Sequence, residues 1–156
     1  MTDIPEITPA QDEPIPAEVR DRAYDLAQIC VQVCQEKKAE DIILFDVQGK
    51  TILADYFIVC SGNSRPHIRA LTEHLRTAML EQGLRPRGLD GVPGSSQWVV
   101  LDYGVLIIHI LDNAAREFYR LEELWDDRKI IFRSNPEQGQ APKAADDAES
   151  ASQPQG

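Results

Sequence analysis

Apolar positions in the first part of the chain recur at helical spacing and then give way to short continuous runs. In residues 17–38 they return every three or four positions, which predicts an amphipathic helix. Residues 42–47 and 55–60 are β-branched and aromatic runs, separated by a glycine-containing turn at 48–50. Such runs are typical of strands that are buried on both faces of a sheet. The chain therefore begins with a helix followed by two strands.

A second helix is predicted directly after the second strand. Ser64 is a suitable N-cap, Pro66 is tolerated in a first turn because its missing N–H costs little there, and Gly83 supplies the expected stop. Between these positions the apolar residues follow one helical face. Residues 85–97 are rich in glycine and proline and predict a loop.

The rest of the pattern completes one domain. It predicts strands at 98–103 and 105–111, a helix at 114–125 and a short extended segment at 130–132. In the last helix Phe118, Leu121 and Trp125 share one face. The order α-β-β-α-β-β-α predicts a single α/β domain with a mixed sheet.

The two strands between residues 98 and 111 carry faces of different composition. If Tyr103-Gly104 is a two-residue turn, Trp98 lies opposite His109. Alternation then places only aliphatic side chains on one face, which is expected to point into the core. The other face consists of Trp98, Val100, Asp102, Val105, Ile107 and His109.

This mixed face has two interpretations. A solvated face would carry lysine, glutamate, threonine and serine, whereas tryptophan beside acidic and imidazole groups is typical of a protein interface. Alternatively a helix covers the face, so that Trp98 is a core residue and His109 is satisfied by Asp102 or a backbone carbonyl. The pattern alone leaves both interpretations open.

Charge separates the chain into a core and two tails. The net charge is −10, but residues 1–18 carry five acidic residues and no basic one, and residues 134–156 carry four against one lysine. We therefore expect disordered acidic tails at 1–16 and 134–156 around a domain at 17–133. No apolar run has the length of a membrane span and no signal peptide is evident, which predicts a cytoplasmic protein.

The domain between the tails is nearly neutral and has no basic patch of the kind that follows phosphates. We therefore expect little or no direct binding to nucleic acid. The chain has three cysteines, Cys30, Cys34 and Cys60, and an odd number does not suggest a disulfide framework. Cys30 and Cys34 have no histidine nearby in sequence. They are interpreted as small core residues.

Catalytic constellations are weak. The segment from Ser61 to Ser64 follows a strand and precedes a helix, but it lacks the lysine and second glycine of a phosphate-binding loop. A metal-dependent nucleotidyltransferase acting on RNA or a nucleotide is the enzymatic alternative. It needs two strand-borne carboxylates one residue apart, and the aspartates here stand singly or, at Asp126-Asp127, adjacent. We expect no catalytic residue, metal or cofactor.

Several segments together resemble a known family. The segments DIILFDVQGKTILADYFIVCSGNS, LDG, WVVLDYG, IIHIL and FYRLEELW occur in this order over about residues 18–132. They are similar to the ribosomal silencing factor, or Iojap-like, family. The resemblance implies a nucleotidyltransferase-like fold without the catalytic carboxylates. It also implies a non-enzymatic translation repressor that acts when nutrients are short, binding ribosomal protein fourteen on the large subunit and blocking the small subunit from joining.

The resemblance also implies a docking region. It carries over to Trp98, Asp102, Tyr103 and His109 in the hairpin and to Tyr119, Glu122 and Trp125 in the last helix. The chain departs from the family at Val105, where an acidic residue usually follows the hairpin glycine, and at Pro66, where arginine usually precedes the histidine. A homodimer that hides the same face is a further possibility.

Overall fold

The computed structural model describes residues 14–49, 54–124 and 129–134. The expected tails fall almost wholly outside these residues. In chain order the elements are α1 (Ala17–Asp21), α2 (Ala23–Glu36), β1 (Glu40–Asp46), β2 (Tyr56–Gly62), α3 (Arg65–Glu81), β3 (Gly88–Asp90), β4 (Trp98–Asp102), β5 (Leu106–Asp112), α4 (Asn113–Tyr119), a 3₁₀ turn (Leu121–Leu124) and β6 (Ile130–Arg133).

The six strands form one mixed sheet in the order β3-β4-β5-β2-β1-β6. Strands β2 and β5 are parallel and pair from Tyr56↔Leu106 to Gly62↔Asp112, whereas the other neighbours are antiparallel. The predicted single α/β domain with a mixed sheet is thereby confirmed. The parallel pair matters for the site, because it brings the end of β2 and the start of α4 to the same edge.

Alternation along the strands divides the core into two layers. On β1, Ile42 and Leu44 pack under α1, α2 and α3, while Ile43 and Phe45 point to the opposite face. On that second face Ala115 of α4 is buried, with Leu121 packed against the same cluster. The sheet is thus covered by three helices on one side and by α4 with the 3₁₀ turn on the other, which explains why its strands are apolar on both faces.

The second helix begins and ends as the sequence predicts. The Ser64 hydroxyl accepts a hydrogen bond from the His67 backbone N–H at 3.1 Å, and this caps α3. Gly83 adopts φ +83° directly after the helix, a conformation that favours glycine.

Two predicted helices differ from the structure. The segment predicted as one helix at 17–38 is divided at Arg22, whose guanidinium donates to the backbone carbonyl (3.2 Å) and the side-chain oxygen (3.1 Å) of Gln82 at the end of α3. The helix predicted at 114–125 ends at Tyr119, because Arg120 takes a left-handed φ of 49° that an α-helix does not continue through. A contact between residues distant in sequence and a single backbone angle thus account for the two altered helix boundaries.

The segment predicted as a loop at 85–97 contains β3, which the sequence analysis missed. Its three residues pair antiparallel with β4, with Leu89 opposite Leu101. A strand of three residues is too short to show an alternation of apolar and polar positions. Its pairing depends instead on the neighbouring edge of β4.

Candidate protein-docking surface

The hairpin between β4 and β5 turns at Gly104 and Val105. The Tyr103 N–H donates to the Leu106 carbonyl at 2.8 Å, and Trp98 lies opposite Leu111 instead of His109. The predicted turn at Tyr103-Gly104 is therefore wrong by one position, since Gly104 with φ +88° occupies the first central place, where a hairpin turn can require positive φ. The partner shifts by two residues, so the faces within β4 and β5 stay as predicted. The prediction is wrong for Val105, which lies in the turn and packs with the cluster on the opposite side of the sheet.

The mixed face of the hairpin is covered. Trp98 is 5% exposed, Asp102 8% and His109 3%. The expectation that this face is exposed is therefore wrong for these residues. Trp98 belongs to the core layer against which α4 and the 3₁₀ turn pack, whereas Asp102 is buried at the other end of β4. The arrangement is that of the covered alternative, with Trp98 inside the core. The partner that this alternative gave His109, Asp102 or a backbone carbonyl, is wrong, because the imidazole bonds to Trp98.

Trp98 and His109 form a hydrogen-bonded pair inside this layer. The indole N–H of Trp98 donates to His109 Nδ1 at 3.1 Å, and the Phe57 ring lies edge-on to the imidazole at 5.2 Å between centroids. Because Nδ1 accepts, the imidazole proton is assigned to Nε2, which is buried without a partner among the described residues. Burial lowers the pKa of His109 from 6.5 to about 4, so the ring is neutral.

Asp102 and Tyr103 hold the turn of the hairpin. Asp102 Oδ1 accepts a hydrogen bond from the Gly104 N–H at 2.8 Å, and burial is the main cause that raises the pKa of its carboxyl. The Tyr103 side chain points to the opposite side of the sheet, which α1, α2 and α3 cover, and it is 2% exposed there. Its hydroxyl is buried without a partner in the described part of the chain, and burial raises its pKa.

A series of aromatic rings leads from this buried pair to the surface. The Trp98 and Tyr119 rings lie 5.0 Å apart, and Tyr119 contacts Phe118 edge-on at 4.8 Å. Phe118 is 77% exposed. Phe118 is not among the candidates predicted from the sequence, because the helical period places it on one face with Leu121. The left-handed backbone at Arg120 ends the helix between the two residues.

The exposed end of this series defines what we call the α4 surface. Phe118 is flanked by half-buried Tyr119 and Leu121 and by exposed charged side chains. Arg120 pairs with Glu123 at 3.2 Å. The α4 surface comprises Glu117, Phe118, Tyr119, Arg120, Leu121 and Glu123. It is therefore an apolar centre whose rim carries two glutamates and one arginine.

Three of the seven predicted docking residues lie together, namely Trp98, His109 and Tyr119. Asp102 and Tyr103 lie at the turn of the hairpin, four or more residues along β4 from Trp98. Glu122 belongs to the 3₁₀ turn, and Trp125 lies outside the described residues. Among the predicted docking residues that the structure describes, Trp98 and Tyr119 are the pair whose rings join the two predicted segments.

Buried polar groups fix the position of α4. Asp112 caps the helix by accepting from the Ala115 N–H at 2.7 Å. Arg116 is 6% exposed and donates to the Ser61 hydroxyl at 2.8 Å and to the Asp41 carbonyl at 2.6 Å. Arg116 was missed by the sequence analysis, since a single arginine in a helix carries no sign that its partners lie on β1 and β2.

The loop from Ser61 to Ser64 uses its polar groups internally. Ser61 accepts from Arg116, Ser64 caps α3, and the Asn63 N–H donates to His67 Nδ1 at 3.0 Å. This agrees with the interpretation as a structural loop with a capping serine. Within residues 14–49, 54–124 and 129–134, no group of three or more histidine, cysteine or acidic side chains is placed to hold a metal ion, and no helix could cross a membrane.

The cysteines are core residues, as predicted. All three are buried on the helical side of the sheet, where Cys34 Sγ and Cys60 Sγ lie 3.9 Å apart. Burial raises the pKa of Cys30 to about 12, so its thiol stays protonated.

A family model described as "Ribosomal silencing factor during starvation" matches residues 20–155. The chain belongs to the ribosomal silencing factor family. It is 33% identical over 107 residues to Ribosomal silencing factor RsfS of Halalkalibacterium halodurans, which covers 69% of this chain and 91% of that protein. It is 29% identical over 118 residues to mouse Mitochondrial assembly of ribosomal large subunit protein 1, covering 74% of this chain and 51% of that protein.

A solved structure shares the fold as well. The crystal structure of a protein from Chromobacterium violaceum matches with a TM-score of 0.63 at 26% identity, covering 73% of this chain and 97% of that one. The family resemblance read from the sequence is confirmed. Membership in a family of ribosomal silencing factors points to a ribosome-associated, non-enzymatic role in the regulation of translation.

Proposed function

We propose that this chain represses translation in the cytoplasm by binding the large ribosomal subunit through ribosomal protein fourteen and blocking the small subunit from joining when nutrients are short. Membership in the family supports the silencing role. The name of the mouse relative, which refers to assembly of the ribosomal large subunit, supports the choice of subunit. The observation that carries the proposal is Phe118, a large aromatic side chain that is 77% exposed on a rigidly backed helix.

The α4 surface has the composition of a docking site for a basic protein. An exposed aromatic side chain supplies the apolar anchor on which interface energy concentrates. On its rim Glu117 complements a cationic partner, whereas Glu123 already pairs with Arg120. Such a charge favours encounter and orientation more than affinity. Repression by this route needs only occupancy of the site where the small subunit would dock, so no catalytic group is required.

The proposed contact residues divide into two groups. Tyr119, Glu122 and Trp125 contact the partner directly, together with Phe118. Trp98, Asp102, Tyr103 and His109 act from beneath, because side chains exposed by 8% or less can make little contact themselves. Trp98 backs the ring of Tyr119 at 5.0 Å and thereby fixes the direction of the α4 surface.

Phe118→Ala tests the proposal better than Trp98→Ala. Truncating Trp98 would open a cavity in the core, so that lost binding and lost folding would be confounded. Truncating Phe118 leaves the core intact and is expected to cost about 2–4 kcal/mol of binding, which is roughly 30- to 1,000-fold in Kd. The measurement is co-sedimentation with isolated large subunits at graded protein concentrations.

Tyr24→Ala is the matched control, because Tyr24 is an aromatic residue that is 47% exposed on α2, in the helix layer on the other side of the sheet. It should bind as the unaltered protein does. Equal binding by Phe118→Ala and the unaltered protein would remove the α4 surface from the interface. Light scattering on the free protein should accompany the assay, since a homodimer covering the α4 surface would weaken binding at high concentration.

The block of subunit joining needs a separate assay. Large and small subunits are mixed with the protein and separated on a density gradient. The joined-ribosome peak should fall in proportion to occupancy of the large subunit, and Phe118→Ala should restore it. Binding without loss of the joined peak would contradict the silencing mechanism while leaving the docking site in place.

A further inference from the structure

Helix α3 carries a line of arginines on its exposed side. Arg65, Arg69 and Arg76 are four and seven residues apart, which places them within about 40° of one another around the helix axis. Arg69 and Arg76 are exposed, as is Arg85 in the segment that follows the helix. Arg65 is engaged elsewhere, since it donates to the Ser95 carbonyl and lies 4.0 Å from Asp112.

A groove runs beside this line. A depression of about 350 Å³ is lined by Pro66, Arg69, Ala70, Glu73 and Gly94. A second, of about 190 Å³, is lined by Glu73, Arg76 and Arg85 among others. Both are lined by Glu73, so the two depressions are neighbours along α3, beside the segment at 84–94. We call them together the arginine groove.

The arginine groove is positively charged in an acidic protein. Residues 63–97 contain five arginines against three acidic residues, whereas the whole chain has a net charge of −10. Of the three acidic residues, only Glu73 lines the groove. Within the described part of the chain, no carboxylate lies within salt-bridge distance of Arg69, Arg76 or Arg85. These guanidinium groups therefore remain available to an anionic partner.

We propose that the arginine groove binds the phosphate backbone of ribosomal RNA, as a second contact beside the α4 surface. The inference rests on the proposed function, which places the chain on a particle whose main anionic component is RNA. Guanidinium groups match phosphate oxygens in geometry and charge. The expectation of little nucleic-acid binding came from the nearly neutral average of the core, and the fold concentrates the positive charge that this average conceals.

The lining of the groove also limits what it can read. Among the described residues, the lining contains no aromatic side chain on which an RNA base would stack. Sequence-specific RNA recognition uses such stacking together with contacts to base edges. The arginine groove therefore contacts phosphates without regard to sequence, and the α4 surface supplies the specificity for the site.

Salt dependence is the test, because each phosphate contact contributes about one unit to the slope of log Kd against log salt concentration. The triple variant Arg69→Gln, Arg76→Gln and Arg85→Gln is compared with the unaltered protein on isolated large subunits over a salt series. The slope should fall by about two to three units, with at least a tenfold weaker Kd at low salt. A filter-binding assay with purified large-subunit RNA should show the same loss.

Two controls keep the result specific. The variant Lys37→Gln, Lys38→Gln and Arg133→Gln removes the same charge from exposed positions away from the groove and should leave the slope nearly unchanged. Glu73→Gln removes the acidic side chain that lines both depressions and should strengthen RNA binding. Urea unfolding of each variant confirms that the fold is intact.

The outcomes separate this proposal from the proposed function. Subunit binding with the same slope for the unaltered protein and the groove variant would overturn the arginine groove alone. If Phe118→Ala abolishes subunit binding and the triple arginine variant reduces the slope of log Kd against log salt concentration, both the α4 surface and the arginine groove are supported. If deletion of residues 1–13 raises RNA affinity only while the groove arginines are present, RNA and the acidic tail compete for the groove, and the RNA contact is supported. Binding of an acidic peptide but not of RNA would overturn it.

Discussion

The imidazole of His109 makes stability depend on pH at the scale of a single residue. Its pKa falls from 6.5 to about 4 on burial, so between these values the unfolded chain binds a proton that the folded protein does not. The contribution of His109 to the free energy of unfolding is therefore fully present above pH 6.5, and it is lost as the pH falls towards 4. The loss amounts to about 3 kcal/mol.

Urea unfolding at pH 7.5, 6 and 5 measures this effect. The free energy of unfolding should decrease over this range, and His109→Gln should flatten the decrease, since glutamine accepts from Trp98 but does not titrate. Asp102 acts in the opposite direction, because its raised pKa favours the protonated folded state as the pH falls. An equal decrease in both proteins would assign the acid sensitivity to other groups.

At the scale of elements, α4 depends on two parts of the chain that are distant in sequence. With seven residues the helix is too short to be stable alone. Arg116 links it to Ser61 on β2 and to the backbone of Asp41, which itself holds φ +49°. The guanidinium thus secures both the helix that carries Phe118 and a strained point at the start of β1.

Arg116→Met should therefore lower the free energy of unfolding by about 2–4 kcal/mol. Methionine keeps the apolar part of the arginine side chain, but the buried Ser61 hydroxyl and Asp41 carbonyl lose their hydrogen-bond donor. Urea unfolding measures the cost. Hydrogen exchange of the α4 amides should also rise. Arg120→Met is the control: its guanidinium is exposed and pairs with Glu123 on the surface, so its effect should stay below about 1 kcal/mol. Similar costs for both variants would contradict the anchoring role.

At the scale of the whole molecule, the sheet separates two surfaces of different character. The α4 surface lies on one side, and α3 with the arginine groove packs on the other. An apolar site centred on Phe118 and a cationic groove suit a protein and an RNA partner, respectively. The two surfaces together fit a nucleoprotein particle better than either partner alone.

We propose that the core at 17–133 folds without the acidic tails at 1–16 and 134–156, with one adjustment at its start. Ile15 packs against the helical side of the core and meets the hairpin at Gly104. A chain trimmed to residues 14–134 should keep its free energy of unfolding within about 1 kcal/mol, since tails of this composition bury little apolar surface. Trimming to residues 17–134 should lower the free energy of unfolding by about 1–2 kcal/mol more, because Ile15 is lost. Equal free energies of unfolding for the two trimmed chains would place the start of the folded core after Ile15.

The sequence by itself determined the local features. It predicted the four principal strands, the Ser64 cap, the stop at Gly83 and the family, because periodicity, capping and turn chemistry act between residues that are close in the chain. It also predicted which residues of β4 and β5 share each face, since alternation survives a two-residue shift in pairing. It misplaced Val105, because the turn moved by one position and took this residue out of the strand.

Only the tertiary structure decided which of these faces are covered. Whether Trp98 and His109 meet solvent depends on α4 packing across the sheet, and α4 is held by partners 55 and 75 residues away. The exposure of Phe118 follows from a backbone turn at Arg120, and the arginine groove exists because the segment at 84–94 lies beside α3. Burial depends on what packs against a side chain, and that contact is set by residues far away in sequence.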